Sequence, residues 1–99
     1  MTIRHLVLLK FIPGATAAQV QGIEREFSAL LGRIEAVQGL EWGTNNSPEG
    51  LAKNFTHCFN LDFADAAGRD AYLPHPVHLA FVEVLKPLLE DVLVFDYAT

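Results

Sequence analysis

Tyr72-Leu73-Pro74-His75-Pro76-Val77-His78 sets a phenol and two imidazoles on one proline-stiffened corner. Imidazole and phenol pass protons readily from fixed positions, so Tyr72 and His78 form a candidate acid–base pair. Each proline fixes its own φ and biases the residue before it away from helix, so Leu73 and His75 are expected to be extended. A helix then restarts with Pro76 at its first position, where a missing N–H is harmless. That puts His78 in the first turns of the new helix and Tyr72 at the end of the preceding element. His75, between two prolines, reads as a helix cap or a solvent-facing residue rather than a reactive one.

Three further residues bear on the same chemistry. His5 and His57 occupy strand patterns beside Val7, Phe55 and Phe59. Apolar surroundings disfavour the charged imidazole and so favour the form that accepts a proton. Either histidine alone also fits a structural role, held by a backbone carbonyl or water. With His78 entering from a covering helix, the three imidazoles are expected to converge on a cavity. Asp96, beside Val92 and Val94, needs a partner among those valines, and a histidine N–H suits it. The alternative is a strand-end aspartate in solvent. His5, His57, His78 and Asp96 together match ligand types that zinc accepts, but close-spaced H-x-H and H-E-x-x-H patterns are absent, so no metal site is read.

The elements that must position these residues follow from periodicity. Residues 3–11 alternate, with Ile3, His5, Val7, Leu9 and Phe11 on one face, which reads as a strand. Pro13-Gly14 ends it. Thr16 and Gln19 form a capping box, and Val20, Ile23, Phe27, Leu30, Leu31, Ile34 and Val37 follow helical spacing over about five to six turns. Glu24, Arg25, Arg33 and Glu35 are assigned to the wet face. Residues 40–44 read as a short strand, and residues 45–50 as an exposed loop of turn formers. Phe55, His57, Phe59, Leu61 and Phe63 mark the next strand. A short helix from Asp65 to Tyr72, a second main helix from Pro76 to near Pro87, and a strand over Val92–Tyr97 complete the chain. His78, Phe81, Val82 and Leu85 are its inward stripe.

Strand, helix, strand, strand, helix, strand is the α+β, ferredoxin-like βαββαβ order, an antiparallel sheet with its helices on one face. The other face needs cover, which a second copy of the chain would supply as a homodimer. Ninety-nine residues make one domain, 1–99, and a 51% hydrophobic content argues against disorder. A net charge of −5 with scattered basic residues disfavours nucleic acid and anionic membrane surfaces. One cysteine, Cys58, excludes an intramolecular disulfide and reads as a packed apolar residue. Without a secretory pattern or an apolar run of about 18 residues, a cytoplasmic protein is expected.

The opening Ile3-Arg4-His5-Leu6-Val7-Leu8-Leu9-Lys10-Phe11, Thr56-His57, the Tyr72…His75-Pro76-Val77-His78 corner and Phe95-Asp96-Tyr97 resemble the stress-responsive A/B barrel (Dabb) family. The resemblance spans nearly the whole chain. It implies homodimers whose sheets close a dimeric α/β barrel. In the family's plant polyketide cyclase branch, the last histidine of H-P-x-H is the base of an aldol cyclisation, assisted by the preceding tyrosine. Those roles map onto His78 and Tyr72, with His5 and His57 lining the pocket. Phe27 departs from the tyrosine found in the cyclase acyl pocket, and the Asn45–Lys53 loop differs in composition.

The expectation is therefore a small-molecule binder, or a cofactor-free lyase or cyclase acting on an apolar carbonyl compound. His78 abstracts a proton, Tyr72 bonds the enolate, and Asp96 orients the base. Val7, Phe27, Phe59, Phe81 and Val94 line a pocket between sheet and helices. Two alternatives remain: a non-catalytic stress-related dimeric scaffold with structural histidines, and a monooxygenase of the same barrel fold.

Overall fold

Alternation at the start of the chain produces the first strand, β1 (Ile3–Phe11), whose odd-numbered side chains are buried as far as Leu9. The computed structural model describes residues 1–99. Thr16 caps α1 (Ala17–Arg33) with the expected reciprocal box: its hydroxyl accepts from the Gln19 N–H at 3.1 Å, and the Gln19 side chain accepts from the Thr16 N–H at 2.9 Å. The helix buries Ile23, Phe27 and Leu30, and it ends at Arg33, earlier than the apolar spacing predicts. Ile34 is already extended at φ −121°, ψ 115°. Ile34 and Val37 still reach the core, from a turn closed by a 3.1 Å bond between Val37 N–H and the Ile34 carbonyl. A tight turn returns side chains to the same side at nearly helical intervals, which is why the periodicity overran the helix.

The remaining elements are β2 (Gly39–Thr44), β3 (His57–Phe63), α2 (Ala66–Tyr72), α3 (Pro76–Leu85), a 3₁₀ turn at Lys86–Leu88, and β4 (Leu89–Ala98). β3 begins two residues after Phe55, because the Phe55 N–H turns back to the Ala52 carbonyl at 3.0 Å. β4 is longer than its apolar stretch, since Asp91 still pairs with Lys10 and Leu89 with Phe11, leaving Glu90 at a register shift between them. At the proline corner His75 is extended at ψ 134°, and its Nδ1 accepts the Val77 N–H at 3.1 Å to cap α3. Leu73 is not extended. It is helical at φ −57°, ψ −45°, held by a 3.1 Å bond from its N–H to the Arg69 carbonyl, so closing the last turn of α2 outweighs the steric bias of Pro74.

The strands pair antiparallel in the order β2-β3-β1-β4, a ferredoxin-like sheet with β1 and β3 central. Register places odd residues of β1 and β3, and even residues of β2 and β4, on the face that carries the helices. There Phe27 stacks on Phe59 at 4.0 Å and 9° and meets Phe81 at 4.8 Å, forming a filled aromatic centre with Val7 beside it. On the other face Leu93 and Phe95 are 45% and 61% exposed. No helix is long and apolar enough to cross a membrane.

Candidate functional site

His5 and Asp96 are directly opposite each other on β1 and β4, and the His5 Nδ1–H donates to Asp96 Oδ1 at 2.6 Å. The second Asp96 oxygen accepts from Arg69 of α2 at 3.4 Å. The half-buried aspartate thus has the histidine partner its surroundings demand, but that partner is not the helix histidine. Asp96 does not orient His78, correcting the expectation, because strand register commits it to His5.

His78 is oriented instead by the corner itself. Its Nδ1–H donates to the Leu73 carbonyl at 2.9 Å, which exists in that direction because Leu73 is helical. In the neutral ring the lone pair is then on Nε2. Burial lowers the His78 pKa, the Leu73 bond opposes that shift, and the neighbouring His5 and His75 lower it further. The ring centroid is 4.3 Å from that of Tyr72. Tyr72 is fully buried, tilted on Phe63 at 5.0 Å and edge-on to His5 at 5.9 Å, and desolvation raises its phenol pKa beyond the ordinary range. His5, Tyr72 and His78 therefore form one cluster, with a proton-accepting nitrogen and a phenol kept protonated.

His57 does not join them. It is placed four ladder positions from His5, opposite Leu9, which at about 3.3 Å per residue is on the order of 13 Å away. The expected convergence of three imidazoles fails because both strands run through the filled Val7–Phe59 centre between them. His57 has its own partners: Nε2–H donates to Glu24 Oε2 at 2.7 Å, and Nδ1 is 2.7 Å from the Thr56 hydroxyl. Trp42 stacks on His57 at 5.8 Å and 13°. Glu24 and Arg69 were missed as site residues. Glu24 carried a signal, four residues after Val20 and three before Phe27 in the apolar stripe; Arg69 carried none.

Of the residues expected to line a pocket, Val7, Phe27, Phe59 and Phe81 are packed into the core, while Val94 is 56% exposed. Val92 and Val94 lie on the helix-side face of β4 beyond the helices, next to Asp96. The Tyr72–His78 cluster is thus bordered by an uncovered apolar shelf at the β4 edge rather than by a cavity in the core. No group of three or more His, Cys, Asp or Glu side chains is gathered to hold a metal ion. Cys58 is half-buried, and burial pushes its thiol pKa up, away from reactivity.

The profile of the Stress responsive A/B Barrel Domain matches residues 3–99. The chain belongs to this family. Olivetolic acid cyclase of Cannabis sativa is 29% identical to this A/B barrel domain over 97 residues, 98% of this chain and 96% of the cyclase. The crystal structure of At3g17210 from Arabidopsis thaliana superposes with a TM-score of 0.93 at 28% identity, covering 98% of this chain and 94% of that one. A dimeric ferredoxin-like protein from Thermobifida fusca superposes with a TM-score of 0.83 at 28% identity, covering 100% and 92% of the two chains.

Proposed function

We propose that this A/B barrel domain binds a small, apolar, carbonyl-containing molecule and acts on it as a cofactor-free lyase or cyclase. His78 Nε2 takes the proton next to the carbonyl, and the Tyr72 hydroxyl donates to the oxygen on which enolate charge develops. The observation that carries this reading is the bond from His78 Nδ1–H to the Leu73 carbonyl beside a buried phenol. It leaves one imidazole nitrogen unprotonated next to an acid too weak to lose its proton. His5, held by Asp96, borders Tyr72 and keeps a second lone pair near the same ring. Val92 and Val94 offer the apolar part of the ligand a floor. The relative named olivetolic acid cyclase supports the cyclase side of this reading.

The working unit in this proposal is a homodimer. Leu93, Phe95 and Tyr97 expose an apolar strand face that a second copy would cover. The Thermobifida relative is described as dimeric. A free Cys58 thiol suits a reducing compartment such as the cytoplasm. The test is deuterium exchange at the α-carbon of small aryl and alkyl β-diketones, followed by NMR, with wild type and His78→Asn compared. Exchange catalysed by wild type and lost in the folded variant is expected. Equal exchange in both removes His78 as the base, and no exchange with any of these substrates removes the carbonyl reading.

A further inference from the structure

Away from the Tyr72–His78 cluster, a second set of groups sits in the arrangement that activates a hydroxyl. Glu24, on α1, accepts from His57 Nε2–H at 2.7 Å. That bond fixes the neutral ring with its lone pair on Nδ1, and Nδ1 lies 2.7 Å from the Thr56 hydroxyl. Glu24 is only 22% exposed and His57 7%, so the carboxylate–imidazole pair is shielded from water, whereas Thr56 is exposed at the end of the relay. A hydroxyl, a base, and a carboxylate orienting the base in sequence are the parts of a nucleophilic triad.

The relay opens on a place for a substrate. A concavity of about 560 Å³ is lined by Thr56 and His57 together with Leu8, Trp42, Asn45 and Phe55; Leu8 lies on the sheet face opposite the helices, so in the proposed homodimer this concavity is closed over by the second copy. Asn45 is tied to Thr56 through its backbone, its N–H donating to the Thr56 carbonyl at 2.9 Å. Its side-chain oxygen is turned toward the Ser47 N–H at 3.1 Å. Asn45 is among the residues lining the concavity, and its amide NH₂ is a donor of the kind an oxyanion requires. Leu8 and Phe55 are apolar surfaces suited to an acyl or aryl group.

We propose that Thr56, His57 and Glu24 form an acyl-transfer site for small apolar esters, distinct from the Tyr72–His78 cluster. Thr56 Oγ1 bonds to the ester carbonyl carbon while its proton passes to His57 Nδ1, and Asn45 donates to the oxyanion. The carbon–oxygen bond to the leaving alcohol breaks, and that alcohol takes the proton from Nδ1. Water then attacks the acyl-threonine, Nδ1 accepts its proton, the carboxylic acid departs, and the proton returns to Thr56 Oγ1. Glu24 acts through His57 and is a positioning residue.

The test pairs p-nitrophenyl acetate turnover with covalent trapping by diisopropyl fluorophosphate and peptide mapping by mass spectrometry, on the full chain. The expected result is phosphorylation at Thr56, and in Thr56→Val a fall in turnover on the order of 100-fold, with Thr56→Ser retaining activity. Glu24→Gln is expected to lower kcat with little change in KM, and Glu24→Asp to restore part of the loss, because Glu24 holds the His57 ring and does not touch the ester. Thr56 is exposed, so its valine variant keeps the fold, as circular dichroism would show. Label found elsewhere, or turnover unchanged in Thr56→Val, overturns the proposal.

Discussion

His5 and Asp96 are joined at 2.6 Å across the β1–β4 ladder, and this bond closes the open edge of the sheet onto its centre. A buried imidazole donor and a carboxylate less than a quarter exposed are left stranded if either is removed. Asp96→Asn is expected to lower stability by about 1.5–3 kcal/mol, the range for a hydrogen bond to a charged group. Arg69→Gln should do much less, because its guanidinium reaches Asp96 only at 3.4 Å, against 2.6 Å for His5. Urea unfolding of the two variants checks the order; equal losses would mean that the ion pair with Arg69, not His5, holds Asp96.

The lowered pKa of His78 has consequences for rate and for stability with pH. Its neutral form is the base, so activity should rise through an inflection below the ordinary imidazole value of 6.5 and be level at neutral pH. In the unfolded chain the same ring protonates nearer 6.5, so the unfolded state binds more protons between the two values. Stability should accordingly be full above 6.5 and fall as the pH drops through the folded pKa. His78→Asn should flatten that part of the stability curve. Denaturation midpoints across the acid range, in both proteins, provide the measurement.

Tyr72→Phe is expected to remain folded, since burial of the ring is apolar and the hydroxyl plays no part in the His5–Asp96 pair. Loss of the donor should cut deuterium exchange on a carbonyl substrate on the order of 100-fold, as removing one oxyanion donor does. In wild type, ultraviolet titration should show one of the two tyrosines ionising later than an exposed phenol, and Tyr72→Phe should abolish that late phase.

The Phe27–Phe59 stack carries the centre of the fold. Phe59→Ala is expected to cost about 3–5 kcal/mol, the usual loss for a fully buried phenylalanine. Thermal unfolding would show whether the site's foundation is this stack; a loss under about 1 kcal/mol would mean that the space collapses around the deletion.

The fold was legible because period-two and helical patterns rarely conflict in this chain. Where they misled, burial was being read as helix: Ile34 and Val37 are buried but not helical. The site was legible in its residue types and less so in its grouping. That His5, Tyr72 and His78 meet depends on α2 and α3 folding back over β1. That His57 is remote depends on strand register, which no local pattern reports. The charge of Glu24 marks it for solvent, while its place in the apolar stripe of α1 turns it toward His57. The helical state of Leu73, which supplies the carbonyl to His78, was set by tertiary closure of α2 against the local preference before proline.

Trp42 lies nearly flat against His57 and is the only tryptophan in the chain. The protein therefore carries its own optical reporter at the Glu24 end of the sheet, with no emission from the Tyr72–His78 end in the same channel. Ligands, titrations and substitutions acting at one end can be told apart from those acting at the other by fluorescence alone.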